Sequence, residues 1–404
     1  MDNVLMPTYM TGFRCSGGEC PHNCCDEPWI IAVEDRISQK YRQIQDPQLA
    51  PLFQRYIQKI DDPKITGFSR IEKLPGGKCP FQAASGYCII QERYGTECLS
   101  GVCNTYPRHI NKVNGVFEIS GKISCPEVCR TALFTPEPIT FQSTQSTTCI
   151  DPKAAYVFNT INFTAEPISA SEILALRDFT IRILQERQCQ LIDRLVFLGL
   201  FYKKVKESLQ TGKNSDISGL IDNYRQTLET GGARGLTSGI AANYPLKLEL
   251  ILAICNIKAK NDVHYGGYFQ TILAGNGYFR GTSDERVQNY SRINRDFFAG
   301  PMRSYEYILE NFLVNHTFQN FLYFKSGAID QFHAELIVHF VLVQFHLAVI
   351  LGPSQEVDEA TFGETFRQYS RYWEHDRNTM EKIGAFLRER SLVTLPYLTV
   401  LMKD

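Results

Sequence analysis

Cysteine is the residue type with which this chain could most plainly do chemistry. The segment FRCSGGECPHNCCDEPW contains Cys15, Cys20, Cys24 and Cys25. The segment CPFQAASGYCIIQERYGTECLSGVC adds Cys79, Cys88, Cys98 and Cys103, and the segment SCPEVC adds Cys125 and Cys129. Clustered thiolates bind zinc or iron-sulfur clusters in preference to magnesium or calcium. The first third of the chain is therefore predicted to hold a metal centre.

A disulfide framework is the less favoured explanation for these cysteines. The chain has 13 of them, and an odd number cannot all pair within one chain. Residues 1–13 lack the basic and apolar regions of a secretory signal, so we expect a cytoplasmic protein, in which disulfides are rare. Buried free thiols are a second alternative, but free cysteines in cytoplasmic proteins do not cluster this closely in sequence. Cys189 and Cys255 lie in apolar helical stretches and are predicted to be core residues.

The spacing of the cysteines does not choose the metal. The Cys-x2-Cys knuckle of a zinc ribbon is missing from the sequence. The radical-type spacing of x3 followed by x2 is missing too, because Cys25 follows Cys24 directly. Adjacent cysteines are not expected to bind one ion in a simple geometry, so one of these two could serve a second metal or a supporting role.

The elements that position the cysteines are predicted to be mostly loops. Residues 1–140 form this cysteine-rich module, with glycine pairs marking turns. Asn114-Gly115, between the alternating runs His109–Val113 and Val116–Ser120, predicts a small β-hairpin. Apolar residues from Leu49 to Ile60 recur at helical spacing, which predicts a helix after Pro47.

The rest of the chain is predicted to be a helical domain, which makes the fold class mainly α. Residues 141–168 are rich in Thr, Ser, Gln and Pro and are expected to be a connection with little regular structure. Residues 169–404 are expected to be almost all helix, beginning at a capping box of Ser169 and Glu172. The apolar stretch 336–351 is shorter than the about 20 residues of a membrane span, so we expect a buried core helix and no membrane partner.

Composition and motifs exclude several classes of function. Lys plus Arg number 42 against 43 Asp plus Glu, a net charge of -1 that gives no bulk attraction to nucleic acid. No P-loop, Ser/His/Asp triad or zinc-protease motif is present. The nearest nucleotide-type loop, ILAGNGYF around Gly275 and Gly277, lacks a third glycine and is interpreted as a plain turn. His333, His339 and His346 lie among Leu, Val and Phe, a setting that favours core packing over metal binding.

The order of the cysteine segments resembles one known family. GFRCSGGECPHNCCDEPWII, GKCPFQAASGYCIIQ, CNTYPR and SCPEV follow one another as in the flagellin lysine N-methylases. That family shares its N-terminal pattern with small proteins named for a CxxCxxCC iron- or zinc-chelating motif. The motifs cover about the first third of the chain, and the helical remainder agrees in length and character. The resemblance implies methyl transfer from S-adenosylmethionine to surface lysines of flagellin by a protein that holds a [4Fe-4S] cluster.

The resemblance also implies a set of site residues. The recurring cysteines of the family correspond to Cys15, Cys20, Cys24, Cys25, Cys79, Cys88, Cys103 and Cys125. Trp29, Tyr106, Pro107 and Arg108 match as well, whereas Cys98 and Cys129 do not. Eight thiols exceed the four that one cluster needs, so two metals bind or half of these residues have other roles.

Two further questions stay open at the level of sequence. Arg108, after Tyr106 and Pro107, could bind the carboxylate of the cofactor or could equally bond loop carbonyls. No residue is identified as the general base. The rival to an enzyme is a metal-chelating or metal-sensing protein whose helical domain binds a partner, in which case neither S-adenosylmethionine nor flagellin would be a ligand.

Overall fold

The chain forms two compact units of mainly α-helical structure. The computed structural model describes residues 2–27, 29–60, 68–146, 156–158, 168–210, 216–275, 281–324 and 328–403. The cysteine unit comprises residues 1–112, 116–128 and 141–157, and the helical unit comprises residues 113–115, 129–140 and 158–404. The predicted fold class is confirmed, while the predicted domain limits at 140 and 168 stay a prediction.

The strands form two small sheets. In chain order they are β1 (Asp2–Pro7), β2 (Ile31–Glu34), β3 (Ile57–Lys59), β4 (Phe68–Ile71), β5 (Arg108–Val113), β6 (Val116–Gly121), β7 (Phe141–Ser146) and β8 (Tyr156–Phe158). The first sheet has the order β7-β1-β6-β5-β8, and the second has the order β2-β4-β3. Strand β1 is parallel to β6 and antiparallel to β7.

The predicted hairpin is present, with β5 and β6 as its strands. Asn114 and Gly115 at its turn both have positive φ, 49° and 89°. A two-residue hairpin turn with φ positive at both positions matches the twist of the strands, and Asn-Gly adopts it at low cost. This local signal was therefore sufficient to locate the hairpin.

Two local expectations in this unit are wrong. The helix after Pro47 ends at Tyr56, because residues 57–59 form β3, in which Ile57 is opposite Ile71 of β4. Strand β7 lies in the segment expected to have little regular structure. It pairs with β1 along its whole length, from Asp2 opposite Ser146 to Pro7 opposite Phe141. In both cases the strand forms its hydrogen bonds with another strand that is distant in sequence. Local composition does not indicate which strand that is.

Short helices complete the cysteine unit around an apolar core. They are α1 (Thr8–Thr11), α2 (Asp35–Gln43), α3 (Leu49–Tyr56), α4 (Ile89–Tyr94) and α5 (Gly101–Thr105), followed by α6 (Pro126–Leu133), which spans the division between the units. The core contains Val33, Tyr41 and Phe81, and Tyr41 stacks on Phe53 with ring centroids 4.4 Å apart. The side chain of Cys79 is buried in this core. Part of the cysteine set is thus anchored to a packed layer.

The helical unit contains the longer helices. They are α7 (Ala170–Leu184), α8 (Leu191–Gln210), α9 (Ile217–Glu229), α10 (Tyr244–Asn261), α11 (Val263–Gly275), α12 (Ser283–Ala299), α13 (Glu306–Asn320), α14 (Ile329–Ile350), α15 (Glu359–Trp373), α16 (Arg377–Glu389) and α17 (Leu395–Met402). The predicted capping box is confirmed: Ser169 accepts the N–H of Glu172, whose carboxylate accepts the N–H of Ser169 at 2.7 Å.

Helix α14 is the central helix of this unit. It packs against α8, α13, α15, α16 and α17, and nearly all of its side chains are buried. A helix that is apolar on every side must be enclosed on every side. Among the described helices, α14 is also long and apolar enough to cross a membrane by length and composition, but almost all of it is buried inside the protein. The predicted core helix is confirmed and is longer than the stretch from which it was inferred.

A buried carboxylate joins α7, α8 and α13. Glu310 is fully buried and lies 2.7 Å from a guanidinium nitrogen of Arg194, whose side chain is 2% exposed. The same carboxylate lies 2.8 Å from a guanidinium nitrogen of Arg187, just after α7. Two buried charges that are paired in this way become costly as soon as one of them is removed.

We predict that Glu310→Gln lowers the free energy of unfolding by about 3 kcal/mol, because it leaves the buried Arg194 without its full partner charge. Urea unfolding of the variant measures this loss. Lys204→Ala is the control, since Lys204 and Glu207 form an exposed pair, and exposed ion pairs contribute little to stability. Equal losses in the two variants would contradict this assignment.

Candidate metal centre

Five of the eight predicted thiols lie together in the cysteine unit. We call Cys24, Cys25, Cys79, Cys88 and Cys103 the five-thiol group. The thiol of Cys25 hydrogen-bonds to the thiols of Cys24 and Cys79. Charge on Cys79 and Cys24 raises the pKa values of both Cys88 and Cys103, although loss of water around each thiol is the larger cause.

The five-thiol group is able to hold negative charge. The hydrogen bond from Cys25, with a smaller contribution from the charge of Lys73, lowers the pKa of Cys79 to about 7. The pKa of Cys24 is lowered by the same kind of bond from Cys25, whose own pKa is strongly raised. Cys25 therefore holds a proton between two thiols that ionise readily. A metal bound by thiolates would replace that proton.

The remaining three thiols form a second group. Cys125 is buried, and burial raises its pKa to about 11, with a further contribution from the charges of Cys20 and Cys15. The Cys15 sulfur accepts the N–H of Gly17 at 3.4 Å, and the Cys20 thiol donates to the carbonyl of His22 at 3.3 Å. We call Cys15, Cys20 and Cys125 the three-thiol group.

Of the cysteines outside the predicted set, Cys98 lies against the same apolar core as Cys25, Cys79 and Cys88, and the others that the structure describes lie elsewhere. Cys98 ends a short 3-10 helix and packs against the apolar core. Cys129 belongs to the helical unit, where its thiol donates to the carbonyl of Gly363 at 3.6 Å. Cys189 and Cys255 are buried, as predicted for core residues. Cys149 lies outside the described residues.

Glycines allow the first two cysteine segments to pack closely. A Cβ on Gly18 would lie 2.1 Å from the carbonyl oxygen of Ser85, and the ring of Tyr87 covers the same glycine. The side-chain amide of Asn23 donates to the carbonyl of Gly86 at 2.7 Å. The backbone of the Cys15–Cys25 loop can approach the Cys79–Cys88 loop this closely only because no side chain intervenes.

Backbone N–H groups point at several of the thiols. Cys88 is the residue before α4, and its sulfur accepts the N–H groups of Ile90 and Gln91. Cys125 precedes α6 and accepts the N–H groups of Glu127 and Val128 in the same way. Free N–H groups at the start of a helix favour a thiolate over a thiol.

Tyr106 lies near both thiol groups. Its pKa is raised mainly by burial, and the charges of Cys125 and Cys24 add to that effect. The Tyr106 hydroxyl is 3.2 Å from the hydroxyl of Ser124, and its ring centroid is 5.2 Å from that of Trp29. The guanidinium of Arg108 lies 5.5 Å from the ring centroid of Phe13. The roles of Tyr106 and Arg108 in cofactor binding stay a prediction.

The spacing of the sulfurs bears on the kind of metal centre. Tetrahedral zinc with bonds of about 2.3 Å holds its sulfurs about 3.8 Å apart. In the part of the chain that the structure describes, no three thiol sulfurs lie within 4.8 Å of one another. The thiols are therefore not arranged as a tetrahedral zinc site, and the kind of metal centre stays a prediction.

Sequence reasoning missed a second group of potential ligands in the helical unit. His316, Glu335 and His339 are buried with their ligand atoms within 4.8 Å of one another. His339 was interpreted as a packing residue, but Glu335 precedes it by four residues and so lies on the same face of α14. His316 on α13 was not singled out. The glycine-rich turn was the other candidate: Gly275 ends α11, and Gly277 lies outside the described residues.

Comparisons with known proteins give a consistent family. Residues 177–401 match the model of the FliB lysine N-methylase C-terminal domain. Lysine-N-methylases of Salmonella typhimurium and Salmonella choleraesuis are each 29% identical to the chain over 136 residues. This alignment covers 33% of the chain and 33% of each relative, so only a third of their length is matched.

A third relative is shorter. The flagellar biosynthetic protein FliU of Salmonella muenchen is also 29% identical over 136 residues, which cover 33% of the chain and 79% of that protein. No solved structure matches the chain.

We predict that Cys88→Ser removes most of the bound metal and lowers the thermal midpoint, because metal ligation stabilises a loop-rich region. Cys98→Ser is a matched control, since both residues are partly buried against the same core. It should keep the metal content of the parent protein. Metal analysis of anaerobically purified protein measures both variants, and equal loss in the two would contradict the division between ligands and packing residues.

Proposed function

This chain belongs to the FliB lysine N-methylase family, and we propose that it transfers methyl groups from S-adenosylmethionine to surface lysines of flagellin. The match over residues 177–401 is the observation that carries the proposal. The cysteine segments of the first third had indicated the same family, and that resemblance is confirmed. The name of the relative FliU, a flagellar biosynthetic protein, agrees with a flagellar substrate.

The reaction sets one chemical requirement on this protein. A lysine ammonium, with a pKa near about 10.4, has no lone pair with which to attack a sulfonium methyl group. The site must therefore remove a proton or lower that pKa by excluding water. Once the amine is neutral, displacement on the methyl carbon needs in-line alignment and no unpaired electron.

We propose that the five-thiol group holds the [4Fe-4S] cluster. A cluster needs four thiolates, so one of these five cysteines supports the site without binding iron. The depressed pKa values of Cys24 and Cys79 favour the thiolate form that iron requires. The N–H groups directed at Cys88 partly offset the burial that raises the pKa of that thiol. When bound, the cluster would anchor the loops and offer an iron atom for positioning the cofactor.

The region beside the thiols is the proposed place for the cofactor. Tyr106 lies near both thiol groups, and Arg108 follows two residues later as a cation suited to the carboxylate of S-adenosylmethionine. Flagellin is the proposed partner, the cytoplasm the proposed location, and neither nucleic acid nor a membrane is part of the proposal.

We expect iron and acid-labile sulfide in comparable amounts in brown protein that has been purified without oxygen, because clustered thiolates favour such centres. Metal and sulfide analysis checks this directly. Colourless protein containing stoichiometric zinc would refute the iron-sulfur proposal while leaving the methyltransferase proposal standing.

We expect purified protein to methylate flagellin lysines with labelled S-adenosylmethionine and to release S-adenosylhomocysteine without any external electron donor, because the displacement is polar. Mass spectrometry of flagellin and of the nucleoside product measures both. A flagellin whose surface lysines are replaced by arginine is the control.

Two other outcomes would change the proposal. Release of 5'-deoxyadenosine, or methylation that stops without a low-potential reductant, would indicate a radical mechanism. Metal binding without cofactor binding or methylation would instead support a metal-chelating or metal-sensing protein.

A further inference from the structure

A second convergence of ligand side chains lies in the helical unit, separate from the cysteines. His316 is on α13, and Glu335 and His339 are one turn apart on α14. Their ligand atoms all lie within 4.8 Å of one another, and all three residues are buried. The Nε2 atom of His316 is 3.2 Å from a carboxylate oxygen of Glu335, and the two imidazole centroids are 4.3 Å apart.

The other nitrogen of each imidazole also has a partner. Nδ1 of His316 lies 3.3 Å from the side-chain amide nitrogen of Asn320 and 3.7 Å from a carboxylate oxygen of Glu374. Nδ1 of His339 lies 2.8 Å from the hydroxyl of Tyr369. Histidines that bind metals through one nitrogen almost always hydrogen-bond through the other, which fixes the ring orientation. With both Nδ1 atoms engaged, Nε2 is the atom of each ring that would bind a metal ion.

We propose that His316, Glu335 and His339 bind one divalent transition-metal ion, zinc or ferrous iron, at a site distinct from the thiols. Two imidazoles and one carboxylate are a donor set that these ions accept. Three protein ligands leave further coordination positions for water or a substrate atom.

The charges around the site are compatible with a cation. Glu335 and Glu374 provide two buried negative charges, and Arg377 lies 3.1 Å from Glu335. His316 lies between the two carboxylates, so an ion bound beside it would face negative charge.

Glu335 also lines a pocket of the helical unit. The other walls of the pocket include Arg377, Phe324, Val338 and Leu387. A metal site needs an entry path as well as ligands. The pocket also places any molecule that it binds next to the proposed ion.

The other buried histidines of α14 differ from this group. His333 contacts the carbonyl oxygen of Leu195 at 2.9 Å, and His346 contacts that of Leu342 at 2.7 Å. Burial lowers the pKa values of both to about 4. Each is a neutral packing residue with a backbone partner, which makes His346 a matched control for His339 on the same helix.

The test is equilibrium dialysis of the full chain against Zn²⁺, with metal counted by mass spectrometry. Because the thiols also bind zinc, the measured quantity is the difference between variants. We expect His339→Gln to bind about one zinc ion fewer than the parent protein, and His346→Gln to bind the same number. Glu335→Gln keeps the size of the side chain and should weaken this site by roughly tenfold to a hundredfold or more.

Two results would overturn the proposal. One is equal zinc binding by the parent protein, His339→Gln and Glu335→Gln. The other is an equal loss in His346→Gln, which would indicate general destabilisation of α14. Iron and sulfide contents report the thiol site in each sample and should be the same in all variants. If His339→Gln does not fold, the nearly isosteric Glu335→Gln decides the question.

Discussion

The cysteine unit depends on the junction of its first two cysteine segments at Cys25. The carbonyl oxygen of Cys25 accepts the N–H of Cys79 at 2.9 Å and the ammonium of Lys73 at 2.8 Å. The Cys25 thiol meanwhile joins the thiols of Cys24 and Cys79. A single residue thus fixes the backbone of one loop to another and also lies at the centre of the five-thiol group.

The junction at Cys25 also explains why glycines and a buried cysteine occur in the two loops that it joins. Loops rich in glycine and proline bury little apolar surface themselves, so a packed layer or a bound metal must stabilise them. Cys79 connects the loops to a packed layer, because it is buried with Val33, Tyr41 and Phe81. Gly18 and Gly86 allow the second loop to approach the first without a steric clash. The thiols are therefore held in position partly before any metal binds.

The helical unit differs from the cysteine unit because it buries several charged side chains. Helix α14 is enclosed on every side, yet its buried residues include Glu335 and His339. Buried charges are tolerated when they are paired: Glu335 lies beside His316 and Arg377, and Glu374 lies beside His316. Glu310 and Arg194 follow the same rule elsewhere in the unit. Buried ionisable groups in an apolar core can indicate a functional site as well as a structural ion-pair network.

The sequence by itself determined those features that depend on neighbouring residues. The Asn114-Gly115 turn, the capping box at Ser169 and the density of the cysteines are all local signals, and the hairpin and the helix start were found from them. The division of eight thiols into groups of five and three, the pairing of β7 with β1, and the meeting of His316 with Glu335 were decided only by tertiary structure. Each of these joins residues that are distant along the chain. Such contacts form when apolar surfaces elsewhere in the protein are buried. The local sequence does not predict which distant residues this burial brings together.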